Sequence, residues 1–187
     1  MIQKRNLTKE KIIQVAFLLS EEIGLNKITF TKIAEKLDIK YPSLYNYFDN
    51  MDNLKIEMVK YFLNNLNLNL MKRLIGKSGK DAIKEFAYTY KDFAFKNRIF
   101  YELFMTIGIA KDDDIHLLVK KLNNILYEIL NFYIEDKEQL IYKSRSLRSL
   151  LHGFVSMNFH GYFHTDVNLE SSFALMVDDF ILSLSPK

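Results

Sequence analysis

Apolar residues recur at intervals of three and four positions along almost the whole chain, and this spacing constrains the fold more than any other feature. Such intervals place apolar side chains on one face of an α-helix. Glycine and proline, which weaken or break helices, number only 6 and 2 in 187 residues. The sequence therefore predicts an all-α protein.

The composition excludes several kinds of site and segment. The chain has no cysteine, so it has neither disulfides, nor thiol nucleophiles, nor zinc sites built on cysteine. The longest apolar run, about Ile99 to Ala110, is interrupted by Glu102 and is too short to span a bilayer. The N-terminus is polar and does not look like a signal peptide. We expect a cytoplasmic protein without membrane contact.

Capping residues and glycines divide the pattern into helices. Thr8 and Gly24 bound the first, Thr29 precedes a short one at about Phe30–Leu37, and Pro42 lies in the first turn of another at Tyr41–Phe48. A long helix then runs from Asn50–Asn53 to about Leu74. Five further helices are predicted near Asp81–Asn97, Arg98–Ile109, Asp113–Tyr133, Lys137–Tyr162 and Asn168–Leu184.

Two short helices joined by the tight turn Asp38–Lys40, and braced by a longer helix before them, are typical of a helix-turn-helix. In that arrangement the second short helix enters the major groove of DNA. Its outward face has a lysine and hydroxyl groups that can bind phosphates, an amide that can recognise adenine, and rings that can contact thymine methyl groups. The first forty residues hold eight basic and five acidic side chains, an excess equal to the net +3 of the whole chain. The outward residues are Lys40, Tyr41, Ser43, Tyr45, Asn46 and Tyr47.

Residues 28–48 have the sequence ITFTKIAEKLDIKYPSLYNYF. The pair Ile33-Ala34, an apolar residue in the turn, Ser-Leu-Tyr at 43–45, the pair Tyr47-Phe48 and Leu54 occur in a register that closely resembles the DNA-binding head of the TetR/AcrR family of transcriptional regulators. The resemblance is strong over about residues 8–58. It implies an N-terminal three-helix helix-turn-helix head, residues 1–50, and a C-terminal helical ligand-binding and dimerisation domain, residues 51–187.

By this resemblance, Thr29 and Thr31 contact phosphates, as does Tyr45. Base and backbone contacts then come from Lys40, Tyr41, Ser43, Asn46 and Tyr47. Two positions depart from the family pattern. Asp38 replaces the common glycine of the turn, a position where aspartate is better tolerated than most residues. Met51 replaces a lysine that contacts a phosphate, and Lys55, one turn further on, offers a substitute. Without that substitute, the salt dependence of DNA binding becomes shallower.

The resemblance also implies a ligand-responsive regulator, a repressor by default, that binds palindromic operator DNA as a homodimer through its last two helices and is released by a small-molecule effector. His152-Gly153 matches part of the Trp-His-Gly motif found in some members. Two apolar faces are predicted to form the dimer interface, although they could instead close the core of a monomer: Leu150, Phe154, Met157 and Gly161, and Phe173, Met176, Val177 and Phe180.

Large rings and methionines are frequent in the middle of the chain, and such residues line pockets for apolar or aromatic ligands. They are equally typical of an ordinary core. The helix Met51–Leu74 is the expected lever between effector and DNA. The predicted ligand-binding residues are Phe86, Tyr90, Phe104, Met105, His152 and Phe159.

Other functions find less support in the sequence. His160 and His164, near Asp166, have metal-ligand spacing but are more typical of a surface. Residues 76–80, GKSGK, lack the full phosphate-loop pattern. No nucleophile with a base and an orienting group is recognisable, so we predict neither an enzyme nor a cofactor nor a metal. A protein-interaction module that has lost DNA binding is the remaining alternative.

Overall fold

Eight α-helices and two 3₁₀ segments form the regular structure of the computed structural model, which describes residues 7–108 and 112–184. The described residues contain no β-strand, and the predicted all-α fold is confirmed. The 3₁₀ segments are Leu25–Lys27 and Tyr41–Asn46. The helices are α1 Lys9–Ile23, α2 Phe30–Leu37, α3 Met51–Arg73, α4 Gly79–Lys96, α5 Arg98–Ile107, α6 Asp113–Leu130, α7 Lys137–Phe159 and α8 Leu169–Leu182.

The predicted caps of the first two helices are confirmed. Thr8 Oγ1 accepts a hydrogen bond from the Lys11 amide at 3.2 Å, and Thr29 Oγ1 accepts one from the Lys32 amide at 3.3 Å. Gly24 follows α1 with a φ of 89°, which side chains rarely adopt, and its amide donates to the Ser20 carbonyl. These signals are local, so the sequence alone is enough to locate them.

The second short helix of the predicted pair is shorter and tighter than expected. It is a 3₁₀ segment, Tyr41–Asn46, and not an α-helix extending to Phe48. Its amides donate to carbonyls three residues earlier, as in Ser43 N to Lys40 O at 2.9 Å. Pro42 has no amide hydrogen to donate, and 3₁₀ turns are frequent as connectors between helices, although a run of six residues is longer than most.

The described residues divide into two compact units. The first lies within Met1–Asn64 and Asn97–His116, and the second within Asn65–Lys96 and Leu117–Lys187. These units differ from the predicted domains, 1–50 and 51–187, because the first also holds the N-terminal part of α3 and all of α5. The division into compact units does not test which residues bind DNA or a ligand. The predicted division into a DNA-binding and a ligand-binding domain therefore stays a prediction.

The first unit packs α1, α2, α3 and α5 around a common core. Phe17 of α1 stacks on Phe100 of α5 with ring centroids 4.5 Å apart, and Phe62 of α3 lies 6.3 Å from the same ring. From α2 and the 3₁₀ segment, Ile33 and Leu44 are fully buried. This apolar anchoring holds the helix-turn-helix in place and leaves its polar face exposed.

The second unit packs α4, α7 and α8 through aromatic side chains. Phe173 of α8 contacts Phe154 of α7 at 4.8 Å and Tyr88 of α4 at 5.1 Å between ring centroids. Phe154 and Phe173 belong to the predicted dimer faces, as do Val177 and Phe180. All of these side chains are nevertheless buried within the chain itself. For these four residues the alternative, a core within the chain, is correct: Phe154, Phe173, Val177 and Phe180.

Candidate nucleic-acid interface

The 3₁₀ winding places three polar residues of the helix-turn-helix in one row. A 3₁₀ helix has three residues per turn, so Lys40, Ser43 and Asn46 follow one another along the same side. All three line a groove of about 500 Å³. Among the described residues, Lys40 has no carboxylate partner. The row therefore presents an ammonium, a hydroxyl and an amide to whatever occupies the groove. The remaining lining consists of Leu7, Asp38, Ile39 and Tyr47.

Tyr41 and Tyr45 form a hydrogen-bonded pair whose rings are exposed by 41% and 49%. Their hydroxyl oxygens are 2.5 Å apart, and their rings meet edge to face at 5.4 Å. The ring of Phe30 supports both from α2, at 6.4 and 5.4 Å. The hydrogen bond to Tyr45 raises the pKa of Tyr41, which keeps the phenol uncharged. Tyrosine hydroxyls at an exposed position can donate to phosphate oxygens.

The turn between α2 and the 3₁₀ segment has the left-handed conformation that favours glycine. Asp38 has φ 52° and ψ 48°, and it is the sole non-glycine residue with positive φ in the described ranges. The Ile39 amide donates to the Ala34 carbonyl at 3.0 Å and closes the turn. The expected tolerance of aspartate in place of glycine is confirmed, and the turn keeps its geometry.

The other predicted DNA contacts have different surroundings. Thr29 caps α2 and Thr31 is exposed on its first turn, so both hydroxyls can donate outward. Tyr47 is half-buried, and its hydroxyl donates to the Leu7 carbonyl at 2.9 Å. Lys55 is 3.6 Å from Asp52, and 30% of its side chain is exposed. Tyr47 therefore already has a hydrogen-bond partner within the chain and Lys55 has a looser ionic one, whereas the row and the tyrosine pair face outward.

The six predicted ligand-binding residues are distributed over the two units. Phe104 and Met105 belong to the first unit, where Phe104 packs 6.3 Å from Phe62 and Met105 is 51% exposed. The other four belong to the second unit. There Phe86 is buried and Phe159 lies 5.5 Å from Phe95. The remaining two, Tyr90 and His152, contact each other.

The pair of Tyr90 and His152 is the polar centre of the second unit. The Tyr90 hydroxyl is 3.0 Å from Nδ1 and 3.2 Å from Nε2 of His152. Burial, and to a lesser extent the charge of Arg148, lowers the pKa of His152 to about 4. The imidazole is therefore neutral at physiological pH, with one ring nitrogen that donates and one that accepts.

Sequence reasoning missed a buried lysine in the second unit. The ammonium of Lys91 lies 5.2, 5.8 and 4.9 Å from the ring centroids of Tyr88, Phe95 and Phe173. Its Nζ is 2.7 Å from Glu170 Oε1, and the contact joins α4 to α8. The sequence indicates this residue only as the single lysine in an aromatic-rich segment, residues 86–95, whose central residues 88–91 are YTYK. A buried ammonium group of this kind is stabilised by its ion pair with the Glu170 carboxylate and by the faces of the surrounding rings.

The alternative metal site lacks its expected geometry. Helix α7 ends at Phe159, and Gly161 has a φ of 73°, so His160 and His164 do not lie on one helical turn. Their Nδ1 atoms are 2.7 and 3.0 Å from the backbone oxygens of Ser156 and Tyr162. Within residues 7–108 and 112–184, no group of three or more His, Asp or Glu could hold a metal ion. No helix in those ranges is long and apolar enough to cross a membrane.

Comparison with known proteins adds independent observations. Residues 83–180 match a family model described as the tetracyclin repressor-like C-terminal domain. An uncharacterised helix-turn-helix transcriptional regulator of Bacillus subtilis, YobS, is 26% identical over 190 residues, which cover 98% of this chain and 96% of the relative. A Rhodococcus protein of unknown function has the same fold, with a TM-score of 0.85, 11% identity and coverage of 99% and 100%. The regulator FadR from Bacillus subtilis, solved in complex with stearoyl-CoA, has a TM-score of 0.73, 13% identity and coverage of 93% and 98%.

Proposed function

Since the chain belongs to the tetracycline-repressor-like family of helix-turn-helix transcriptional regulators, we propose that it represses transcription by binding palindromic operator DNA as a homodimer and is released by a small-molecule effector. The family consists of regulators and not of enzymes. The observation that carries the proposal is the row Lys40, Ser43 and Asn46 along one groove of the helix-turn-helix.

The row Lys40, Ser43 and Asn46 is proposed to contact the bases, and the surrounding hydroxyl groups are proposed to bind the phosphate backbone of the DNA. Asn46 has the donor and acceptor pair that recognises adenine in the major groove, and Lys40 can donate to guanine or to a phosphate. The Tyr41–Tyr45 pair, Thr29 and Thr31 donate to phosphates and fix the register of the head. Tyr47 contributes mainly through its position beside the groove, since its hydroxyl already donates to Leu7.

The proposed dimer forms through α7 and α8, with Met157 kept from the predicted faces and with Leu175 and Leu182 in place of the buried residues. Met157 of α7 is 44% exposed, and Leu175 and Leu182 of α8 are 63% and 82% exposed. Exposed apolar side chains on neighbouring helices are typical of a protein interface. A dimer allows two recognition segments about 34–36 Å apart to read successive major-groove faces of a palindrome.

The effector is proposed to bind in the second unit, near Tyr90, His152 and Phe86, with an apolar or aromatic body and a polar group for the imidazole. Helix α3 belongs to both units and is the proposed lever between effector and DNA. Linkage requires that the effector weaken DNA binding by the same factor by which DNA weakens effector binding.

The test is to titrate the protein into the DNA duplex that lies immediately upstream of its own gene, with fluorescence anisotropy as the readout of binding. A scrambled duplex is the control, and both are measured at 50 and about 200 mM salt. We expect preferential binding to the upstream duplex, weakened by salt as phosphate contacts release counterions. Equal and weak binding to both duplexes would contradict operator recognition near the gene and would favour the protein-interaction module.

A further inference from the structure

A second cavity lies in the first unit, and none of the six residues predicted to bind an effector lines it. It has a volume of about 650 Å³, within the range of small-molecule pockets, which is roughly 300–1,000 Å³. The connection after α1, the first turns of α3 and one side of α5 border it. Its lining consists of Gly24, Leu25, Asn26, Asp52, Lys55, Ile56, Ile99, Glu102, Leu103, Thr106 and Ile107.

The apolar part of this lining is entirely aliphatic. Branched side chains come from all three bordering segments, and Leu103 of α5 is almost fully buried. A flexible alkyl chain can follow such an irregular surface, and each methylene group that leaves water contributes favourably to binding. The aliphatic lining residues are Leu25, Ile56, Ile99, Leu103 and Ile107.

The charged part of the lining leaves one cation loosely paired. Glu102 Oε1 accepts a hydrogen bond from Arg98 Nε at 2.7 Å, so its charge is compensated. Asp52 is 3.6 Å from Lys55 Nζ, beyond hydrogen-bond distance, and 90% of its side chain is exposed to water. Lys55, with a side chain 30% exposed, is therefore the group that an incoming anion can reach.

We propose that this cavity binds an alkyl carboxylate, with the chain on the aliphatic lining and the carboxylate on Lys55 in place of Asp52. Lys55 is also the lysine expected to replace the family's phosphate contact at Met51. A bound carboxylate thus withdraws this ammonium from DNA, and the cavity becomes a second regulatory site, located in the first unit. This link to DNA rests on the proposed function, whereas binding of the carboxylate does not.

Calorimetric titration with decanoate tests the site in the absence of DNA. We expect wild-type protein to bind decanoate at least about tenfold more tightly than decylamine, which has the same chain and the opposite charge. Lys55→Gln should weaken decanoate binding about tenfold, as should Thr106→Phe, which fills the cavity without changing its charge. Lys120→Gln, at an exposed lysine of α6, is the matched control and should leave it unchanged. Equal affinity for the two amphiphiles, or unaltered binding by Lys55→Gln, would overturn the proposal.

Methyl NMR of isoleucine-labelled protein locates the binding site. Decanoate should shift the signals of Ile56, Ile99 and Ile107, and leave those of Ile83 and Ile125 in place; the reverse pattern would assign binding to the second unit. In the anisotropy assay, decanoate should raise the Kd for operator in wild-type protein but not in Lys55→Gln. Failure of wild-type protein to bind DNA without decanoate would contradict the proposed function alone, since calorimetry and NMR judge the cavity independently.

Discussion

Asn46→Ala is expected to weaken operator binding about tenfold to a hundredfold, because one bidentate contact to a base is worth about 1–3 kcal/mol. Asn46 is exposed at the end of the 3₁₀ segment, where its side chain lines the groove. Truncation at an exposed position should leave the fold intact. Binding to the scrambled duplex should be unchanged, since phosphate contacts carry no sequence information. Anisotropy titrations with both duplexes measure the two affinities.

Two comparison variants separate base reading from general attraction. Asn131→Ala removes an exposed asparagine of the second unit and should change neither affinity. Lys40→Gln removes a positive charge from the proposed DNA-binding face, so it should weaken binding to both duplexes and reduce the slope of log K against log salt by about one. An equal loss on both duplexes for Asn46→Ala would show that Asn46 does not read sequence.

The stability of the second unit should fall as the pH is lowered from about 6.5 to about 4, because of His152. Its pKa is about 4 in the folded protein, against 6.5 for the model imidazole. Above pH 6.5 the imidazole is neutral in both states. As the pH falls, the unfolded chain takes up the proton first, and the free energy of unfolding decreases until the folded form is also protonated. The shift corresponds to a contribution of about 3 kcal/mol that is lost across this window.

Denaturant unfolding at pH 7 and pH 4.5 measures this contribution when wild-type protein is compared with His152→Gln. The variant keeps a polar group beside Tyr90 but cannot titrate, so its unfolding free energy should depend less on pH. His160→Gln changes an exposed histidine and should keep the wild-type dependence. The carboxylates titrate in all three proteins and cancel in the comparison. Identical pH dependence of His152→Gln and wild type would refute the lowered pKa of His152.

Local signals in the sequence are sufficient for much of the fold. The caps Thr8 and Thr29 and the glycine after α1 define helix ends through contacts within four residues. The left-handed turn at Asp38 is likewise set by its neighbours along the chain. The five later helices begin and end within three residues of their predicted bounds, except that Ile109, the predicted end of α5, lies outside the described residues.

Contacts between distant segments are the part that the sequence does not determine. Phe86 and Phe104 both lie on apolar helix faces, yet they belong to different units. An apolar face such as that of Phe173 and Val177 has the same pattern whether it packs within a chain or against a second copy. The 3₁₀ winding of Tyr41–Asn46 also escaped prediction, because its spacing differs from that of an α-helix by a fraction of a residue per turn. The groove and the aliphatic cavity arise from these longer-range arrangements.

The most direct test of the central claim, a dimer that reads a palindrome, changes the spacing of the operator. Five base pairs, about half a helical turn, are inserted at the centre of the bound palindrome, and anisotropy and the number of chains per duplex are measured. We predict that the affinity falls at least about a hundredfold and that two chains no longer bind together, because the half-sites then face opposite sides of the duplex. Unchanged affinity with one chain per duplex would contradict the dimeric, helix-turn-helix mode of recognition.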